Sequence, residues 1–171
     1  MKRLLPSLMA CAAMTLVAGC GRTTETEPST AQSTPAKPPT HTGYAVEWVT
    51  NDVPATVAPG GRVTIHVSAK NTGDWAWPNP AAANPSRPDG SYAVRLAYRW
   101  VEATGKAHPP AADRGELKAS VPPGETATFT MDVVAPAQPG SYNLQLDLVE
   151  ELVVFFSAKG APKLTVPVTV Q

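Results

Sequence analysis

Three carboxylates stand close together near the end of one β-patterned segment: Asp147, Glu150 and Glu151 in "SYNLQLDLVEE". Two carboxyl groups can hydrolyse a glycosidic bond when they sit roughly 5–9.5 Å apart, one as acid and the other as base or nucleophile. On a strand rising ~3.3 Å per residue, Asp147 and Glu151 share a face but lie ~13 Å apart, beyond that range. Glu150 and Glu151 are neighbours that a regular strand turns to opposite faces. The simpler expectation is a charged strand end paired across the sheet with Arg95 or Arg99. The histidines are scattered. His66 points outward from an alternating segment, His108 sits beside Pro109 and Pro110, and His41 lies in a polar stretch, so all three are expected in solvent. Neither Gly-x-Ser-x-Gly nor His-Glu-x-x-His occurs, so the motifs of serine hydrolases and zinc peptidases are missing. These residues predict a protein that is not an enzyme, with no catalytic residue, no metal ligand set and no cofactor.

Aromatic side chains offer binding chemistry instead. Tryptophan stacks on sugars and anchors protein partners, and Trp, Tyr and Arg dominate interface hot spots. "NTGDWAWP" carries Trp75 and Trp77, which fall on one side if the stretch is extended. Both can then turn inward and cap the open end of a β-sandwich, or Trp77 can stay exposed beside the loop that follows. That loop, "PNPAAANPSRPDGSY" (residues 78–92), is long enough to be functional rather than merely connecting. Trp77, Arg87, Asp89 and Tyr92 are therefore the candidate contacts with a partner or ligand. A second long loop, residues 102–116, is placed to flank it. Trp100 belongs to the inward face of its segment, and Trp48 fits an edge or inter-sheet position.

The elements that must hold these residues are strands. "RVTIHVSAKN" alternates, with Val63, Ile65, Val67 and Ala69 on one face. "AVRLAYRWV" turns Val94, Leu96, Tyr98 and Trp100 inward, "ETATFTMDVVA" does the same with Ala127, Phe129, Met131 and Val133, and "SYNLQLDLVEE" with Tyr142, Leu144, Leu146 and Leu148. Residues 44–50 form a first strand, and "LVVFFS" and "PKLTVPVTV" two closing ones. Such period-2 patterning, broken by Pro/Gly turns, predicts an all-β sandwich with one solvated face per sheet. Pro167 assigns the last strand to an edge, because proline cannot donate to a central ladder. Pro123-Gly124 and Pro139-Gly140 read as corners in which glycine takes a positive φ. Tyr142, just after the second corner, stands where immunoglobulin-like sandwiches place a tyrosine corner.

The N-terminus reads as an export signal. Lys2 and Arg3 precede a mostly apolar run at residues 4–17, too short to span a bilayer, which needs roughly 20 apolar residues. It ends in Leu16-Val17-Ala18-Gly19-Cys20, which resembles the lipobox of bacterial lipoproteins. That resemblance implies a signal peptide at 1–19 and Cys20 as a lipidated N-terminus, with acyl chains each adding about 0.8 kcal/mol of membrane affinity per buried CH₂. Cys11 leaves with the signal, so the mature fold rests on its core without a disulfide. Gly21 in place of aspartate implies, by resemblance to enteric lipoproteins, the outer membrane of an organism that has one. Residues 20–43 are rich in Thr, Pro and Ser and read as a disordered tether reaching up to roughly 65 Å if Pro-stiffened. Residues 44–171 make one domain. Removing Lys2 and Arg3 leaves twelve basic against fourteen acidic residues, and no basic patch argues for nucleic acid.

The domain itself resembles the four-tryptophan immunoglobulin-like domain, known from selective-autophagy receptors and with similar domains in bacterial envelope proteins. The resemblance is carried by Asn71-Thr72-Gly73 with Trp75 and Trp77, by Leu96 to Trp100, by Arg114 and Leu117, and by Val121-Pro122-Pro123-Gly124. It continues through Val134-Ala135-Pro136, Pro139 to Tyr142 and Asp147 to Glu150. Two departures stand out: Leu152 occupies a turn position usually held by glycine, and Phe155-Phe156 replaces a Trp-Phe pair. The resemblance implies an immunoglobulin-like architecture and protein–protein roles, and it transfers no catalytic residue. The resulting expectation is a lipid-anchored envelope protein that binds a protein partner through the 78–92 loop or a sheet edge. The alternative is a carbohydrate- or peptidoglycan-binding module in which Trp77 and Tyr92 form an exposed platform.

Overall fold

The computed structural model describes residues 40–83 and 90–171. The described residues form nine strands, the long ones on alternating apolar and polar side chains: β1 (Val46–Asn51), β2 (Thr56–Val57), β3 (Arg62–Asn71), β4 (Val94–Glu102), β5 (Gly115–Glu116), β6 (Thr126–Val134), β7 (Gly140–Glu150), β8 (Val154–Phe155) and β9 (Leu164–Val170). One short helical turn, α1 (Pro80–Ala83), and a 3₁₀ turn at Phe156–Lys159 complete the described elements.

The strands run in the order β1-β3-β6-β5-β4-β7-β9-β2, with β8 added beside β7. Two layers arise because this ribbon curls. β1, β3 and β6 pair antiparallel in one sheet, and β4, β7 and β9 in the other. The two-residue β5 links them, pairing Glu116 with Thr130 of β6 and with Arg95 of β4. The result is an all-β, immunoglobulin-like sandwich.

Its core is the set of inward residues read from the alternation. Ile65, Val67, Phe129, Met131 and Val133 from one sheet meet Val94, Leu96, Leu144, Leu146 and Leu148 from the other, all buried. Each such side chain contributes about 1.5–3 kcal/mol on burial. Polar tips tie the layers together. The Trp100 indole donates to the Val134 carbonyl at 2.8 Å, and the Val134 amide donates to the Tyr98 hydroxyl at 3.0 Å. The Tyr142 hydroxyl donates back to the Gln138 carbonyl at 3.0 Å, which is the geometry of a tyrosine corner. On the edge strand β1, the Trp48 indole reaches across to the Pro162 carbonyl at 2.9 Å.

Several local expectations change. The chain crosses between sheets directly after β1, because β2 pairs parallel with β9 at Thr56–Thr169 and Val57–Val170. That contact ends before Pro167, which lies opposite Asn143 of β7 on a stretch with one strand neighbour. "LVVFFS" is not a strand throughout: residues 151–153 turn, only Val154 and Phe155 pair, and the 3₁₀ turn begins at Phe156. Asp147 accounts for that break, since its carboxylate accepts the Ser157 amide at 3.2 Å and the Ser157 hydroxyl at 2.5 Å. Gly124 takes φ +86° as its corner requires, whereas Gly140 is near-extended and starts β7.

Candidate functional site

Two neighbouring groups of side chains gather the chemistry-bearing residues. The first forms where residues 90–93 meet the turn after β7. Tyr92 donates its amide to the Glu151 carbonyl at 3.0 Å, and the Glu151 amide donates to the Ala93 carbonyl at 3.0 Å. The β4–β7 pairing is thereby prolonged beyond both strands. On each chain the next bend is left-handed at a non-glycine residue: Tyr92 has φ +68° and Leu152 φ +63°. A side chain in that region costs roughly 1–2 kcal/mol. Leu152 nevertheless holds the turn that the family resemblance associates with glycine, closed by the Val153 amide on the Glu150 carbonyl at 3.0 Å. Its side chain projects outward, with the residue 71% exposed.

Ion pairs brace this end from beneath. Arg114 donates from Nε to Glu151 Oε1 at 2.8 Å and from Nη1 to the Ala111 carbonyl at 2.6 Å, tying the 102–116 loop to the turn. Arg95 donates to Glu116 at 2.9 Å and lies 3.9 Å from Glu151. Gly90, at φ +77°, leaves the space that the Arg95 guanidinium fills, where a Cβ would collide with it. An open cavity of about 340 Å³ lies elsewhere, between residues 117–122 and the start of β6, and brings together no cluster of titratable groups.

The second group is aromatic. Phe156 is fully buried, with Tyr44 (5.1 Å between ring centroids), Trp77 (5.8 Å) and Trp75 (6.0 Å) around it. Trp77 faces inward because its backbone forms a bridge with Val121, each amide donating to the other's carbonyl at 2.9 Å. Its ring is 0% exposed and Tyr92 is 9% exposed, so the exposed Trp77–Tyr92 platform does not form. Trp75 is half-buried, and its indole donates to the Gly43 carbonyl at 3.1 Å. Asn71, fully buried, holds the segment by donating to the carbonyls of Trp75 (2.8 Å) and Val121 (2.9 Å). Arg87, Asp89 and the lipidation candidate Cys20 lie outside the described residues.

Of the carboxylates, Glu151 meets an expected partner: it lies 3.9 Å from Arg95 and also pairs with Arg114. Glu150 pairs with neither Arg95 nor Arg99: it is fully buried, accepting a 2.6 Å hydrogen bond from the Tyr44 hydroxyl. Burial raises its pKa above the ordinary carboxylate range, and burial likewise raises that of Asp147 beside Ser157. His41 is not a solvated tether residue. Its ring stacks on Trp75 with centroids 3.8 Å apart and planes 2° from parallel, and Nε2 lies 3.5 Å from Glu150 Oε1. His66 is exposed as expected and meets Asp52 at 2.7 Å, while His108 is half-buried against Glu102 at 3.2 Å. No group of three or more potential metal ligands occurs among the described residues.

No protein-family model matches the sequence, and no curated protein is significantly similar to it. Among solved structures, the chain is similar to a CARDB domain from Pyrococcus furiosus crystallised with di-metal ions, at 19% identity and TM-score 0.42, over 74% of this chain and 86% of that one. The solution structure of the same domain gives 18% identity and TM-score 0.39, over 74% and 92%. A sporulation control protein from Bacillus subtilis gives 14% identity and TM-score 0.39, over 74% and 49%. These are weak likenesses of fold, and no residue role passes from them to this chain.

Proposed function

We propose that this chain is a lipid-anchored envelope protein whose domain binds a protein partner without catalysis, through the end where residues 90–92 meet the 151–153 turn. One observation carries the reading. Leu152 exposes a large apolar side chain from a left-handed turn position that glycine would occupy without strain. Strained backbone of this kind clusters at binding and switching sites, and a leucine held out on a braced turn can enter an apolar pocket on a partner. The Arg114–Glu151 ion pair lies beside it, and Arg95 links Glu151 to Glu116. The carboxylates offer little to a hydrolase, because Asp147 and Glu150 are buried in hydrogen bonds and Glu151 is ion-paired. The glycan alternative loses its main support with the burial of Trp77.

A photo-crosslinking residue at position 152 of the membrane-anchored chain tests this, with Thr128 on the solvated face of β6 as control. A discrete adduct from 152, absent from 128, is expected. The same pattern from both positions, or no adduct from 152, contradicts it. The anchor is supported by the order of charged, apolar and lipobox segments ending at Cys20.

A further inference from the structure

Glu150 is a buried carboxylate to which no arginine or lysine is paired among the described residues. Its Oε2 receives the Tyr44 hydroxyl at 2.6 Å, while Oε1 is buried and accepts no hydrogen bond among the described residues. Among the described residues, the basic group within ion-pair distance of it is the His41 imidazole, with Nε2 3.5 Å from that same Oε1. His41 is held between two rings. Its ring lies flat on Trp75, and the Tyr44 ring stands 6.3 Å away at 71°. An aromatic face and a desolvated carboxylate are components that recognise an organic cation.

From this geometry we infer that Trp75, Tyr44 and Glu150 form an imidazolium-binding seat whose resident ligand is His41, clasping the N-terminal approach to the domain while the His41–Glu150 pair keeps a proton. With one proton on the pair, either His41 is cationic against the carboxylate or Glu150 is a neutral acid. Both states leave little uncompensated charge inside. Loss of that proton leaves a carboxylate anion buried against a neutral ring, which departure of His41 relieves by admitting water. The remaining charged groups nearby do not replace the proton. Lys159, on the 3₁₀ turn, sits over the Tyr44 ring with Nζ 6.0 Å from its centroid, and Asp74, packed against Gly43, adds a negative charge. The clasp is therefore closed at mildly acidic pH and opens as pH rises, a sense set by which state of the pair burial tolerates.

Hydrogen–deuterium exchange of residues 41–44 in the full chain, corrected for intrinsic pH dependence, tests this at about pH 6 and about pH 9, on either side of neutrality. Protection should fall about tenfold or more between the two, the equivalent of one unit of linked pKa shift. Glu150→Gln should make protection equal at both. A second arm does not depend on that variant folding: in His41→Gly, free imidazole should raise the melting midpoint at the acidic pH and leave it unchanged at the alkaline one. Equal protection of the natural chain at both pH values overturns the inference, as does an unchanged midpoint for His41→Gly with imidazole at the acidic pH.

Discussion

At the scale of single residues, Trp77 shows how backbone pairing decides what a side chain can do. Its neighbours in sequence leave two orientations open, and the bridge to Val121 selects the inward one. The ring then serves as core, and its Nε1 lies buried without a hydrogen bond among the described residues. An unsatisfied buried donor costs about 1–3 kcal/mol, so Trp77→Phe should be tolerated far better than its loss of volume suggests. Trp77→Ala, which also empties the site beside Phe156, should cost about 3–5 kcal/mol. Denaturant midpoints of the two variants check this, and equal destabilisation would mean that the ring's polar tip is satisfied after all. Glu150 gives a second residue-scale prediction. Burial raises its folded-state pKa, so its stabilising contribution is complete below the unfolded value near about 4.3 and is lost as pH rises through the folded one. Asp147 acts with the same sign. Glu150→Gln should therefore flatten the decline in melting temperature from mildly acidic to neutral pH. An unchanged slope would show that Glu150 carries none of it.

At the scale of elements, the turn between β7 and β8 joins strain to exposure. Leu152→Gly should hold stability or raise it by up to about 1 kcal/mol, because relief of the left-handed side chain offsets the entropy lost with glycine. Thermal melts of the full chain give the sign, and marked destabilisation would mean that Leu152 is needed for packing. The sequence patterning makes the long strands legible here because each residue's face is a local property: Ile65 and Val67 in β3, or Leu144 and Leu146 in β7, need only their neighbours to declare a period of two. Elements fixed by distant partners are not legible in that way. β2 is two residues long and exists because β9 offers it an edge. The 3₁₀ turn at Phe156–Lys159 interrupts an apolar run because Asp147, on the adjacent strand, takes the polar groups of Ser157. The candidate site divides similarly. A long loop with Tyr92 is visible as composition, whereas the burial of Glu150 depends on Tyr44 and His41 arriving from the other end of the chain.

At the scale of the whole molecule, the sandwich keeps its ordinary polar surfaces on the sheet faces and concentrates its unusual features near one turn. Thr64, His66, Ser68, Thr128 and Thr130 line a solvated face with modest hydrogen bonds such as Ser68–Thr128 at 2.8 Å. Beyond the domain, the proposed lipidation predicts that Cys20→Ser moves the protein from the membrane pellet to the soluble fraction after cell fractionation, since that variant offers no thiol to acylate. Retention in the pellet would refute lipid anchoring. The central claim, that Leu152 anchors a partner, is tested most directly by the affinity of the full chain and of Leu152→Gly for the partner captured by crosslinking at position 152. A loss of about tenfold or more, ~1.4 kcal/mol of binding, with stability equal or higher, is the predicted result. Equal affinity for the two chains would contradict it.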